Sequence, residues 1–258
     1  MEFLKTNLIN TTTQISLTNN TTVVSNIFNR DPFYQYYTDG LNNDLTTGSI
    51  TITFAATTPV SRIALIDTNV KDFTIFYNGL TANAFTLVNQ NTTTSSFTGN
   101  TNENLMLRFA TIQCSSITID LKKTMTADQE KVLGLLYVSD LIYTLGKIPN
   151  SGGYKPSLNP KQIVHALSDG GTRIHNVRSK FSLNIDLDYL SSTEVTSIRD
   201  VYDRQDGFQF TAFGTSTGWV NPVFFECVWT GPFSFYEYSG DAISSGFSGK
   251  INLKETPI

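Results

Sequence analysis

From Phe181 to Leu190 the chain reads FSLNIDLDYL, with Phe181, Leu183, Ile185 and Leu187 separated by Ser182, Asn184, Asp186 and Asp188. Successive side chains of a strand point to opposite faces, so this alternation sets one face on a core and leaves the other wet. A helix, with its period of 3.6, does not fit it. The same period of two recurs in SITITF (Ser49 to Phe54) and DFTIFY (Asp72 to Tyr77). Between them RIALI (Arg62 to Ile66) is a continuous apolar run of the kind a doubly covered strand carries, and AFTLV, LMLRF and SITIDL continue the pattern. Clusters such as Asn78-Gly79 and Thr98-Gly99-Asn100 punctuate these runs, because Asn and Gly accept turn conformations. Short strands at close spacing predict an all-β fold of the sandwich or jelly-roll kind.

Residues 1 to about 110 are crowded with Thr and Asn, whereas charged and aromatic residues recover beyond about 120. Thr suits strands through its stiff branched Cβ, and Asn suits the turns between them. The shift predicts two domains: an N-terminal jelly-roll β-sandwich over 1–145, a Gly- and Pro-rich linker over 146–160, and a second β-sandwich over 161–258. One flanking α-helix is expected in the second domain, over about 192–204. Ser191 and Glu194 have the spacing of a capping box, Val195, Ile198 and Tyr202 follow at helical spacing, and Gly207 is placed to end it. Ser168-Asp169-Gly170-Gly171 reads as a tight hairpin turn between IVHAL and TRIH. VFFECVW (Val223 to Trp229) and FSFYEY (Phe233 to Tyr238) read as a second hairpin across Gly231-Pro232, and KINLKE (Lys250 to Glu255) reads as the last strand.

The chemistry that a chain needs for catalysis is sparse here. Only His165 and His175 are available as imidazole ligands, on opposite arms of the expected hairpin, and no metal-ligand spacing joins them to Asp186 or Asp188. Those two aspartates lie about 7 Å apart on one strand face, a separation that permits a carboxylate pair yet is met by any solvated strand. No nucleophile elbow and no Gly-rich phosphate cradle occur. Cys114 and Cys227 each sit in an apolar run and read as two small buried hydrophobes instead of a bridge. The N-x-Thr triplets at Asn10, Asn20 and Asn91 follow from the Thr and Asn content. The expectation is a non-enzymatic protein with no catalytic, cofactor-binding or metal-ligating residues. A net charge of −4 and an isoelectric point near 5.2 argue against sequence-specific nucleic-acid binding. The absence of a long apolar stretch or a signal-like N-terminus predicts neither a membrane span nor export, hence synthesis in the cytoplasm.

Two aromatic clusters remain: Phe33, Tyr34, Tyr36 and Tyr37 in a loop-like segment, and Phe224, Phe225, Trp229, Phe233, Phe235, Tyr236 and Tyr238 in the expected second hairpin. The first reads either as loop packing or as a sugar platform. The second reads as core on one face and subunit interface on the other.

The segments Asp39 to Phe54, Val60 to Gly79, Asn104 to Leu121 and Val132 to Asp140 together resemble the discoidin-like, galactose-binding-like jelly roll, over roughly residues 20–145. No ligand-contacting set comes with that resemblance. His165 to Phe213, with DGFQF (Asp206 to Phe210) and the terminal KINLKE strand, resembles bacteriophage tail proteins of the tail-tube and distal-tail kind. That second resemblance implies a virion structural protein of the tail or baseplate, made in the host cytoplasm. It implies self-association into a ring, usually a hexamer, with the jelly roll docking fibres or other tail proteins. The order of domains departs from the usual distal-tail order, in which the jelly roll follows the ring domain. The alternative is a carbohydrate-binding module or lectin-like adhesion protein that holds host glycans on Tyr34 to Tyr37.

Overall fold

The computed structural model describes residues 1–19, 23–29, 35–38, 44–81, 83–88, 92–146, 154–166, 172–204, 208–212, 219–220, 223–238 and 246–255. The first strands are β1 (Glu2–Leu4), β2 (Ile15–Leu17), β3 (Tyr36–Tyr37), β4 (Gly48–Ile66), β5 (Val70–Tyr77), β6 (Phe85–Thr86), β7 (Thr93–Thr94) and β8 (Ser96–Phe97). Next come β9 (Leu105–Thr124), β10 (Val132–Leu133), β11 (Leu135–Ser139), β12 (Leu141–Thr144), β13 (Tyr154–Ala166) and β14 (Thr172–Leu190). After α1 (Ser192–Tyr202) follow β15 (Phe208–Ala212), β16 (Trp219–Val220), β17 (Val223–Trp229), β18 (Phe235–Tyr238) and β19 (Gly246–Glu255). The fold is all-β with antiparallel ladders and, among the described residues, one α-helix. No helix among them is long and apolar enough to cross a membrane.

The chain divides into two compact units. One holds Lys5–Leu141 with Ala212–Val223 and Ile258; the other holds Met1–Leu4, Ile142–Thr211 and Phe224–Pro257. This layout differs from the expected 1–145, 146–160 and 161–258. Residues 1–4 belong with the second unit because β1 pairs with β15, Phe3 facing Phe210. Part of the expected linker, Tyr154 to Pro160, is strand β13, and 147–153 lie outside the described residues.

In the first unit the main sheet runs β11-β4-β9-β5-β8, with β2 added to β4 and β16 to β9. SITITF and RIALI, expected as two strands, are the two ends of the single strand β4. Its first half alternates, Ile50, Ile52 and Phe54 being buried. Its second half is buried without a break from Val60 to Leu65. β9 mirrors it, so Ile50 faces Ile119 and Ile52 faces Ile117, while Ile63 faces Leu107. Register shifts between Thr53 and Thr58 and between Val60 and Arg62 let the pairing continue across the change of character. Arg62 sits in the continuous run because its guanidinium Nη1 donates to the carbonyls of Ser61 (2.6 Å) and Phe109 (3.2 Å). A buried cation needs such partners.

The second unit has a sheet ordered β12-β1-β15-β17-β19-β14-β13. The FSLNIDLDYL alternation holds: Phe181, Leu183, Ile185 and Leu187 are buried, and their intervening residues are not. α1 begins on the expected capping box, with the Glu194 N–H donating to Ser191 Oγ (3.2 Å) and the Ser191 N–H donating to Glu194 Oε2 (2.7 Å). Ile198 and Val201 face the core. The helix ends at Tyr202, with Asp203 as its C-cap, two residues short of the expected Arg204; Gly207 lies outside the described residues.

The expected β17–β18 hairpin is not formed. Both strands pair in tandem with β19, Cys227 facing Glu255 and Phe235 facing Gly249, so Gly231-Pro232 makes a jog and not a reversal. Gly231 takes φ +84° there. Gly249 is required where Phe235 crosses it, since a Cβ would come within 2.3 Å of that ring.

Candidate interaction surface

Asp186 and Asp188, the carboxylate pair considered for hydrolysis, lie on the polar face of β14. Asp186 is bracketed by Lys250 (3.4 Å) on one neighbouring strand and Lys155 (3.5 Å) on the other. Two ammonium groups across the strand neutralise it, which is what a solvated ladder does with an acid. His165 faces Arg173, and His175 faces Ile163, in the β13–β14 register. No group of three His, Cys, Asp or Glu side chains converges among the described residues. Cys114 and Cys227 are buried thiols that do not bridge to each other, and burial pushes the Cys114 thiol up to about 11.

Tyr36, half of the supposed sugar platform, is wholly buried. Its hydroxyl has no hydrogen-bond partner among the described residues, and burial pushes its pKa up to about 12. Tyr37 is half-buried and donates to Gln35 Oε1 at 3.1 Å; Phe33 and Tyr34 lie outside the described residues. The reason is local: β3 pairs with β10, Tyr36 facing Leu133, which turns the ring inward.

The first unit also holds a polar cluster at the base of the loop before β4. Burial alone would raise the Asp44 carboxyl, but the Thr124 N–H (2.9 Å) and hydroxyl (3.0 Å), with the Lys131 charge, outweigh it and hold it below the ordinary value. Lys131 is fully buried, and that burial pushes its own pKa down against the pull of Asp44. This arrangement ties a loop to β9.

The aromatic residues of the second unit do form a surface. Trp229 lies edge-on to Tyr202 (5.4 Å) and 6.0 Å from Phe233, which meets Phe235 at 4.8 Å. The Arg199 guanidinium sits 5.9 Å from the Phe233 centroid. A cleft of about 340 Å³ opens beside Tyr202, Arg204 and Trp229. A second, of about 420 Å³, lies among Tyr189, Ser192, Glu194, Glu237 and Phe247.

Tyr189 marks the point where the alternation breaks. Strict period two places it on the core face with Leu187. Instead its backbone takes φ +59°, an uncommon conformation for a bulky residue, and the ring is 61% exposed while Leu190 is buried in its stead. The register between β14 and β19 slips between Leu187 and Leu190, and the Tyr189 ring meets Tyr238 at 5.7 Å. Tyr236, two residues before Tyr238 on β18, is 63% exposed. Tyr189 and Tyr236 are the exposed large apolar side chains of this unit among the described residues.

At the other end of β14 the sheet narrows to two strands. β13 pairs with β14 from Tyr154 opposite Ile185 out to Ala166 opposite Thr172, whereas β19 accompanies β14 only from Ser182 to Leu190. The Glu255 carboxylate caps the ladder by accepting the Phe181 N–H at 2.8 Å. From Thr172 to Lys180, β14 has β13 as its one strand partner among the described residues, and β13 is the last strand of the sheet. Between Tyr154 and Phe181 the sequence has Lys155, Lys161, Arg173, Arg178 and Lys180 against Asp169 alone. Lys155 lies in the three-stranded part, opposite Asn184, so the two-stranded arm over 159–180 sums to +3 in a chain whose total is −4, leaving −7 elsewhere.

No family model matches the sequence, and no curated protein matches it. Among solved structures, the chain is similar to chitosan-binding module 1 from a chitosanase/glucanase of Paenibacillus sp. IK-5. The identity is 13% and the TM-score 0.41, over 53% of this chain and 99% of that one. It is similar to CBM32-3 from a family 31 glycoside hydrolase of Clostridium perfringens, at 16% identity and a TM-score of 0.37, over 50% and 92%. The tandem CBM32-1 and CBM32-2 domains of Clostridium perfringens ZmpB align with 99% of this chain and 94% of theirs, at 10% identity and a TM-score of 0.38. Likenesses at this level transfer no ligand and no activity. None of these three is a tail protein.

Proposed function

We propose that the chain is a non-enzymatic structural subunit that assembles with further copies of itself, with the tail or baseplate of a virion as its setting. The observation that carries this reading is the arm formed by β13 and β14. A two-stranded ribbon is marginal in water on its own and gains stability by adding a strand or a packing face. A sheet whose end strands, β12 at one side and β13 at the other, have no further strand partner among the described residues offers a head-to-tail contact that closes into a ring or extends into a filament. Light scattering and electron microscopy of the purified chain test it. Closed rings or filaments are the expected outcome, with contacts burying more than about 1,000 Å². A chain that stays monomeric at high concentration overturns the reading.

A second reading, carbohydrate binding, is favoured by the exposed ring of Tyr189 and the partly buried ring of Trp229, each lining an open cleft, since aromatic faces with nearby polar groups suit sugar rings. It moves the supposed platform from Tyr34–Tyr37 to the second unit. Glycan-array binding that is lost on Trp229→Ala or Tyr189→Ala is its signature.

A further inference from the structure

We infer that the cleft between the end of α1 and the end of β17 takes the carboxylate-bearing ring of an acidic sugar, with Arg204 and the Trp229 indole N–H holding the carboxylate and Asp203 accepting from a hydroxyl. This inference rests on the carbohydrate reading and narrows it to uronic acids at one of the two clefts. The cleft is lined by Tyr202, Asp203, Arg204, Val228, Trp229 and Gly231. Two of these residues carry a buried donor that no described residue accepts, Nε of Arg204 and Nε1 of Trp229. A buried N–H without an acceptor costs about 1–3 kcal/mol, and folded chains leave few of them. Two donors in one cleft, one of them cationic, are complementary to an acceptor that carries negative charge. A carboxylate is such a group, since its two oxygens take N–H bonds from a guanidinium and from a second donor together.

The rest of the lining suits a sugar better than a bare anion. Tyr202 and Trp229 present rings set edge to face, 88° apart in plane. Asp203 is exposed and loosely held, with Nε of Arg199 3.7 Å from its Oδ2, so its carboxylate is available to a hydroxyl donor. An inorganic anion leaves both the rings and this acceptor unused. The charges of Arg199, Asp203 and Arg204 sum to +1, which one carboxylate balances. A volume of about 340 Å³ lies near the lower end of small-ligand sites and suits one sugar ring. The lining is also fixed in place: the Asp203 N–H donates to the Arg199 carbonyl (2.9 Å) at the end of α1, and the Thr230 N–H donates to the Asn252 carbonyl (2.8 Å) just after β17. Donors held by regular elements need little reordering when a ligand arrives.

Ligand-observed NMR titration of the full-length chain tests the assignment, with glucuronate and galacturonate each set beside its neutral parent sugar, and with acetate as the bare carboxylate. At least one uronate binds about tenfold or more tightly than its neutral parent and than acetate. Arg204→Gln brings that uronate down to the affinity of its neutral parent. Trp229→Phe, which keeps an aromatic ring and removes the donor, weakens it about fivefold. Should Trp229→Phe lower the melting temperature, Arg204→Gln, which removes no ring, decides the matter. Equal binding of acid and neutral sugar overturns the uronate assignment and leaves the carbohydrate reading standing. Acetate binding as tightly as the uronate overturns it in favour of a carboxylate from any source, an acidic peptide included. Uronate binding that neither substitution moves lies elsewhere on the chain and overturns it as well. If no sugar binds in the titration or on a glycan array, this inference and the carbohydrate reading fail together.

Discussion

Two antiparallel pairs of similar length, one in each unit, meet different fates. β4 and β9 run side by side for most of their length with further strands on their outer edges: β11 and β2 on β4, β5 and β16 on β9. Ile50 and Ile52 of β4, with Ile117 and Ile119 of β9, are fully buried. β13 and β14 pair over thirteen positions, yet among the described residues only the inner half of β14 gains a third strand, β19. A strand pair that already has neighbours on both edges contributes to the stability of its own unit, whereas one that lacks them is available to another molecule.

The largest expected effect tests the completed pair. Ile52→Ala removes a buried side chain opposite Ile117 and costs about 3 kcal/mol in urea unfolding. Gly249→Ala, in the completed part of the second sheet, costs about 2 kcal/mol because the new methyl collides with the Phe235 ring. Asp44→Asn costs about 1 kcal/mol at neutral pH through weakened hydrogen bonds from Thr124. Because the Asp44 pKa lies below the ordinary carboxylate value, its contribution is complete above that value and disappears as pH falls through the folded-state pKa. The gap between wild type and variant should therefore close in acid melts. Tyr36→Phe, which removes a buried hydroxyl without a partner among the described residues, stabilises by up to about 1 kcal/mol. It also removes an alkaline loss of stability: Tyr36 stays protonated in the folded chain up to about 12, so wild type loses stability as pH rises above the ordinary value of 10.0. The smallest effect sharpens the contrast. Replacing 159–180 by Asn-Gly, which shortens the arm to a tight hairpin, changes the unfolding free energy of the isolated chain by less than about 1 kcal/mol and abolishes assembly. An equal loss of stability from this change and from Ile52→Ala would erase the distinction between the pairs.

Much of the fold is legible where a pattern is local. Phe181 to Leu187 gives its buried face by parity, and Ser191 with Glu194 gives the helix start, because in each case the decisive partners lie within a few residues. Legibility fails where the partner is remote. SITITF and RIALI look like two strands because one alternates and the other does not, and only the pairing with β9 makes them one. The jog at Gly231-Pro232 resembles a hairpin turn until β19 accepts both flanking strands. Tyr36 goes into the core through its pairing opposite Leu133, a contact that its own neighbourhood does not announce. The candidate surface left one trace in the sequence: Tyr189 stands on the apolar parity yet is followed by Leu190, two claimants for one buried place. The arm's charge was equally readable, but that β14 has no third strand over Thr172–Lys180 among the described residues shows only in the β14–β19 register.

The pairing of Phe3 with Phe210 has a consequence for how the molecule can be made and taken apart. The second strand of that pair emerges from the ribosome some two hundred residues after the first, so β1 waits through synthesis of nearly the whole intervening unit. The polypeptide passes between the units at residues 4–5, 141–142, 211–212, 223–224 and 257–258, and no single cut yields both of them whole. Excising either unit means splicing distant pieces, and the two are inherited as one inseparable part.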